Sequence, residues 1–174
     1  MRLRPSNLLW AACIAMVLLG GPVWGAEPPA SAQRKGSGLP IPRFATLKSD
    51  EVNVRTGPGT RYPVDWVFKR KGMPVEIVAE YENWRKIRDW QGASGWVYQG
   101  LLTGKRSFVV PSKTANLYKT PAAAADVVAK LEPEVMGEIR SCTGDWCRVR
   151  VTGGVTGWLA RTEIWGVYKS EPVN

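Results

Sequence analysis

The chain repeats itself, and the repeat sets the size of what it can fold into. Asn53-Val54 returns as Asn116-Leu117, Trp84 as Trp146, and Gly95-Trp96 as Gly157-Trp158, at offsets of 63, 62 and 62 residues. Three separate landmarks at one spacing mark two copies of one unit, each the size of a small all-β domain. Within copy one, short apolar stretches at Phe44 to Leu47, Val52 to Val54, Val64 to Phe68 and Pro74 to Glu80 are separated by Gly, Pro and Asn. Val75, Ile77 and Ala79 alternate with polar neighbours, as a half-buried strand requires. Trp84 to Asp89 and Gly95 to Val97 complete the copy. Pro58-Gly59 carries the residues of a type II turn, with proline presetting φ and glycine accepting a positive φ.

Copy two runs from about Ser107 to Tyr168, with strands expected at 107–110, 115–118, 127–131, 134–141, 146–151 and 157–159. Ile164 and Trp165 follow as packing residues. Strands this short and this evenly punctuated predict a small barrel in each copy. No long helix is expected. The join at Gly104-Lys105-Arg106 is so short that the two barrels should touch.

The first 25 residues have the three parts of a secretory signal peptide. Arg2 and Arg4 precede an apolar run from Leu8 to Leu19, and Val23-Trp24-Gly25 ends in small residues, with cleavage expected after Gly25 or, second, after Ala26. The run is short for a membrane span of about 20 residues. Cys13 is read as part of the discarded peptide. Removing this segment leaves 22 basic against 15 acidic residues, a net charge of +7. Such a surface attracts anions at long range, or simply keeps the protein solvated. Residues 26–43, rich in Pro, Gly, Ser and Ala, read as a flexible linker. Folded units are expected over 44–105 and 106–168, and an exported, periplasmic or secreted location follows from the signal.

With these residues in view, the chain resembles a tandem pair of bacterial SH3-like domains. The motif in copy one is Asn53-Val54-Arg55-x-Gly57-Pro58-Gly59, then Tyr62-Pro63, Trp84 and Gly95-Trp96. Copy two departs from it: Leu117-Tyr118-Lys119-Thr120-Pro121 replaces the Arg-x-Gly-Pro-Gly stretch, and Ala122 to Ala125 replaces the Tyr-Pro neighbourhood. The resemblance implies two SH3-like barrels and a non-catalytic binding module. It further implies a partner in the cell wall, peptidoglycan peptide or glycan, or another envelope protein.

Cys142 and Cys147 are separated by four residues in a chain expected to be exported, a setting that favours a disulfide across a hairpin. Their counterparts 62 residues earlier are Glu80 and Arg85, opposite charges placed to pair across the same hairpin. A redox role would call for the C-x-x-C spacing. Zinc would need further ligands, and the chain has no histidine. No cofactor or metal is expected.

Seven tryptophans lie beyond the signal segment. Trp84, Trp96, Trp146 and Trp158 recur with the repeat and so have a packing explanation. Tyr62, Trp66, Tyr81 and Trp90 have no counterpart in copy two and sit by turns. Together with Arg55 and Trp84 they form the candidate ligand-binding set, an aromatic groove flanked by Arg61, Lys69 and Arg85. Arg55 has a second reading, as a tie to the carbonyls of its own turn. Without histidine the usual general base is missing, and no phosphate-binding loop occurs, so no enzymatic activity is expected. A periplasmic protein adaptor is the alternative function. Polyanion or nucleic-acid binding through the basic surface is the third reading, placed last because an exported protein meets little nucleic acid, so no nucleic-acid partner is expected.

Overall fold

A computed structural model describes residues 36–174. The expected signal peptide, its cleavage site and the linker up to residue 35 lie outside the described residues. The fold is the expected one, all-β with two SH3-like barrels. Copy one supplies β1 (Arg43–Leu47), β2 (Val52–Arg55), β3 (Val64–Phe68), β4 (Pro74–Tyr81), β5 (Trp84–Arg88), β6 (Ser94–Tyr98) and the short β7 (Leu102–Thr103). Copy two supplies β8 (Ser107–Val109), β9 (Ala115–Tyr118), β10 (Val127–Leu131), β11 (Met136–Thr143), β12 (Trp146–Val151) and β13 (Thr156–Ala160). The antiparallel sheets run β3-β2-β6-β5-β4-β1-β7 and β10-β9-β13-β12-β11-β8, so the order matches strand for strand apart from β7. Even the irregularities repeat: β4 and β11 carry a bulge at Val78 and Arg140, and β3 and β10 carry one at Asp65 and Val128. Bulges bend and twist a strand, and here they curl each sheet toward closure.

The inward positions are those that the alternation marks. Val52, Val54, Val75, Ile77, Ile87 and Val97 are buried in copy one, and Leu117, Ile139, Val149 and Leu159 in copy two. The glycine of each Gly-Trp pair is where one strand crosses close over another. A Cβ on Gly95 would lie 2.4 Å from Val54 Cγ1 and 3.1 Å from the Arg55 carbonyl oxygen. On Gly157 it would lie 2.6 Å from Leu117 Cγ and 2.8 Å from the Tyr118 carbonyl oxygen. The type II turn expected at Pro58-Gly59 does not form, because Gly59 is not among the residues with positive φ. The Gly59 N–H instead reaches the Gly57 carbonyl (3.0 Å), and the Tyr62 N–H reaches that of Gly59 (3.2 Å). Glycine is required at 57 for space, since a Cβ there would fall 2.4 Å from the Tyr62 ring.

The same hairpin is fastened differently in the two barrels. Cys142 and Cys147 face each other in register and are joined (S–S 2.01 Å). Glu80 and Arg85 occupy the matching register, with Arg85 Nε 3.1 Å from Glu80 Oε1 and both side chains buried. Arg85 also donates to the carbonyls of Glu82 and Trp84 and to Gln99 Oε1. The end of the stretch read as a linker is tied to this point. Ser37 donates from its N–H (2.5 Å) and hydroxyl (2.7 Å) to the Glu80 carboxylate, and Arg43 Nη2 approaches to 2.5 Å. Arg43 itself already belongs to β1. In copy two the chain's other end does the covering, as the Cys142 N–H donates to the Val173 carbonyl (2.8 Å). The copy-two addition pairs with the edge of β11, where unpaired backbone invites aggregation, whereas the copy-one addition bonds the Glu80 side chain.

The two barrels meet in a packed seam within one compact unit. The Phe44 ring lies 4.8 Å from that of Trp165, edge-on, and 4.6 Å from that of Tyr168. Tyr168 Oη donates to Glu76 Oε1 (2.7 Å), and Arg106 donates to the Phe44 carbonyl (2.6 Å) while pairing with Glu171. Trp165, expected to close its own copy, is therefore a seam residue.

Two outcomes follow. Gly157→Ala and Gly95→Ala each force backbone apart and should each cost about 1–3 kcal/mol in urea denaturation. Gly104→Ala, where a Cβ meets nothing within 4 Å, should not destabilise. The fasteners should also separate by condition. Burial opposes the Glu80 charge, but bonds from Ser37 and Arg43 hold its carboxyl at about 2, against an ordinary 4.5. The unfolded chain thus takes up a proton first, so this contribution is complete above about pH 4.5 and lost as pH falls toward 2. Glu80→Gln should weaken the fold at neutral pH and flatten stability between those values. Reductant should instead remove about 2 kcal/mol from copy two at any of these pH values, the loop-closure worth of so short a disulfide.

Candidate functional site

Copy one presents a surface groove of about 590 Å³ between the 58–62 loop and the tip of the β4–β5 hairpin. Pro58, Gly59 and Arg61 form one wall, with Tyr81, Trp84 and Tyr98 opposite. The hairpin tip is built by Tyr81 and Trp84 facing each other across two residues, with Glu82 at a positive φ of 49°. Trp84 also stands directly across from Tyr98 on β6, with ring centroids 5.9 Å apart and the planes steeply inclined at 69°. Gln99 locks the tip from below, since its N–H donates to the Asn83 carbonyl (2.9 Å) and its amide to Asn83 Oδ1 (2.9 Å).

The opposite wall is held by Arg55, whose Nη1 donates to the carbonyls of Tyr62 (2.7 Å) and Thr60 (3.2 Å). That is the second of the two readings of this residue. Arg61, held by the same loop, places its guanidinium 5.1 Å from the Tyr62 ring centre and donates to Tyr62 Oη (3.3 Å). The hydrogen bond to the Tyr62 hydroxyl raises the Arg61 pKa above its ordinary value, and a guanidinium is in any case always charged. The groove therefore offers three aromatic side chains on one side and a fixed, solvent-facing cation on the other. Rings of this kind stack on flat apolar faces, and a guanidinium accepts a carboxylate or phosphate.

Of the six expected site residues, the structure brings Tyr81 and Trp84 to the groove. Arg55 and Tyr62 support its loop wall. Trp66 and Trp90 are elsewhere: both are half-buried against the core of copy one, with Trp66 edge-on to Phe68 at 5.9 Å. The flanking role expected of Arg85 is also not taken, since it is buried behind the hairpin. Tyr98 is the groove residue that the sequence reading missed. Its signal was the alternation in Ser94 to Tyr98, where Gly95 and Val97 point inward and Tyr98 outward.

Copy two lacks the equivalent lining. Tyr118 takes the place of Arg55, pairing with Trp158 as Arg55 pairs with Trp96, and Ala160 takes the place of Tyr98. The Trp146 ring packs edge-on against Tyr118 at 5.4 Å instead.

The family model described as "Bacterial SH3 domain" matches residues 48–104 and 111–166, one match in each barrel. The chain belongs to the bacterial SH3 domain family. Over 127 residues it is 24% identical to "Putative N-acetylmuramoyl-L-alanine amidase YrvJ" of Bacillus subtilis (strain 168), covering 67% of this chain and 24% of that protein. Among solved structures it is similar to NlpC2 of Trichomonas vaginalis (13% identity, 75% of this chain and 50% of that one, TM-score 0.34). It is also similar to an NlpC/P60 family protein of Bacillus cereus ATCC 10987 (16% identity, 70% and 55% covered, TM-score 0.32). The chain thus spans about a quarter of the curated relative and about half of these structures. Among the described residues, no helix is long and apolar enough to cross a membrane.

Proposed function

We propose that this chain is an exported, non-catalytic binding module that engages cell-wall peptidoglycan peptides, or another envelope component, through the groove of copy one. The observation that carries this reading is the convergence of Tyr81, Trp84 and Tyr98 with Arg61 around one open groove. Rings give an extended chain flat surfaces to lie on, and the arginine gives a carboxylate a fixed counter-charge. Membership of the bacterial SH3 domain family supports it, as does the match to a relative named "Putative N-acetylmuramoyl-L-alanine amidase YrvJ". The absence of histidine from the sequence and the joining of Cys142 to Cys147 support a role in binding rather than in nucleophilic chemistry. The signal peptide read at residues 1–25 supports export.

Sedimentation with purified peptidoglycan sacculi at low salt tests the proposal. The protein should be retained, and Arg61→Ala or Trp84→Ala should lower the affinity about tenfold, as loss of an interface anchor does. Trp146→Ala should change it less than twofold. Wild-type protein that stays in the supernatant, while crosslinking to one discrete protein partner, would replace this reading with that of a protein adaptor.

A further inference from the structure

Among the described residues, the two large apolar side chains most open to water are Leu39, 58% exposed, and Ile41, 49% exposed. They do not sit on a loose tether. Ser37 bonds the Glu80 carboxylate, the Leu39 N–H donates to Ser37 Oγ (3.2 Å), and Arg43 Nη1 donates to the Pro40 carbonyl (3.3 Å). Pro40 and Pro42 fix two further φ angles. Burying a leucine and an isoleucine would be favourable, yet these bonds hold both in water. Apolar side chains held out in this way mark a contact surface.

The groove of copy one has the complementary surface. Tyr81, Trp84 and Tyr98 line it with rings, on which prolines and branched side chains pack. Two of its polar groups, the Trp84 indole and the Arg61 guanidinium, can only donate hydrogen bonds. The Trp84 N–H has no acceptor among the described residues. Leu39-Pro40-Ile41-Pro42 has the opposite inventory, with carbonyl acceptors throughout and no N–H at either proline. A chain's own segment does not reach its own groove. Ser37 holds the segment to Glu80, whereas the groove wall begins at the next residue, Tyr81. Successive strand residues point to opposite faces, so segment and groove lie back to back on the β4–β5 hairpin.

We propose that the groove of one copy of this chain takes the Leu39-Pro40-Ile41-Pro42 segment of a second copy. The inference rests on the groove described above and adds its regulation: self-association occupies the site until a wall ligand displaces the neighbour's segment. Segment and groove are different patches, so the contact is heterologous. The competing contact between copies is edge pairing through the exposed Val127 and Val128 of β10. There the bulge at Val128 interrupts the ladder, which discourages a further strand from joining.

Analytical ultracentrifugation of the full chain over a concentration series tests this. Wild type should self-associate reversibly. Leu39→Ser/Ile41→Ser should raise the dissociation constant about tenfold, as should Trp84→Ala or, with no loss of packing, Arg61→Ala. Val127→Ser/Val128→Ser should change it less than about twofold. An equimolar mixture of the Leu39/Ile41 variant with either groove variant should give a one-to-one complex and nothing larger, because one chain keeps the groove and the other the segment. Leu39 and Ile41 are exposed, and a thermal melt equal to wild type shows that their double variant is folded. A wild-type monomer throughout the series, undiminished association of the Leu39/Ile41 variant, or no complex in the mixture would overturn the proposal. Loss of association in the Val127/Val128 variant would overturn it in favour of β10 pairing. Sacculus sedimentation separates this inference from the reading it rests on, since Leu39→Ser/Ile41→Ser should be retained at least as well as wild type. Retention of a wild type that stays monomeric defeats self-association alone, and association through the groove without retention defeats wall binding alone.

Discussion

Each barrel closes where β2 or β9 passes over a glycine, and the rest of the architecture depends on that close crossing. Val54 lies against Gly95 and Leu117 against Gly157, at separations that leave no space for a methyl group. Closure there sets the direction of the following residue, so Trp96 and Trp158 face outward beside Arg55 and Tyr118 respectively. It also aligns β6 with β5, which puts Tyr98 across from Trp84. The groove of copy one is thus a consequence of barrel closure, with the 58–62 loop added as a second wall.

Two identical frames have been fitted out differently. The hairpin that bears Trp84 or Trp146 is clamped by a buried ion pair with a bonded chain end in copy one and by a disulfide in copy two. A buried pair is sound only when every partner is present, since a lone charge left in the interior is costly. Glu80 meets that condition with Arg85, Arg43 and Ser37. The seam of Phe44, Trp165 and Tyr168 then joins the frames, so that the surface between them belongs to neither barrel alone.

Much of this was legible in the chain. Period-two alternation and turn residues placed twelve of the thirteen strands, because strands half-buried on one face leave that pattern in sequence. The missing one, β7, is two residues long and is formed only by pairing with β1, a tertiary event. The 62-residue offset matched Glu80-Arg85 with Cys142-Cys147, since two copies of a hairpin must put equivalent residues in equivalent register. The site was less legible. Whether Trp66 or Trp84 is available to a ligand depends on which neighbours cover it, and neither spacing nor residue type records that. Gly59 misled for a related reason: it sits beside Tyr62 in a loop governed by packing of that ring, and the local Pro-Gly preference did not prevail.

The central claim is that the same fold carries a peptide-binding groove in copy one and none in the equivalent place of copy two. Nuclear magnetic resonance of the labelled protein, titrated with a soluble muropeptide, addresses it residue by residue. The account predicts saturable shifts at Arg61, Tyr81, Trp84 and Tyr98, with Tyr118 and Trp146 unmoved. Shifts centred on Tyr118 and Trp146, or none at the copy-one groove, would contradict it.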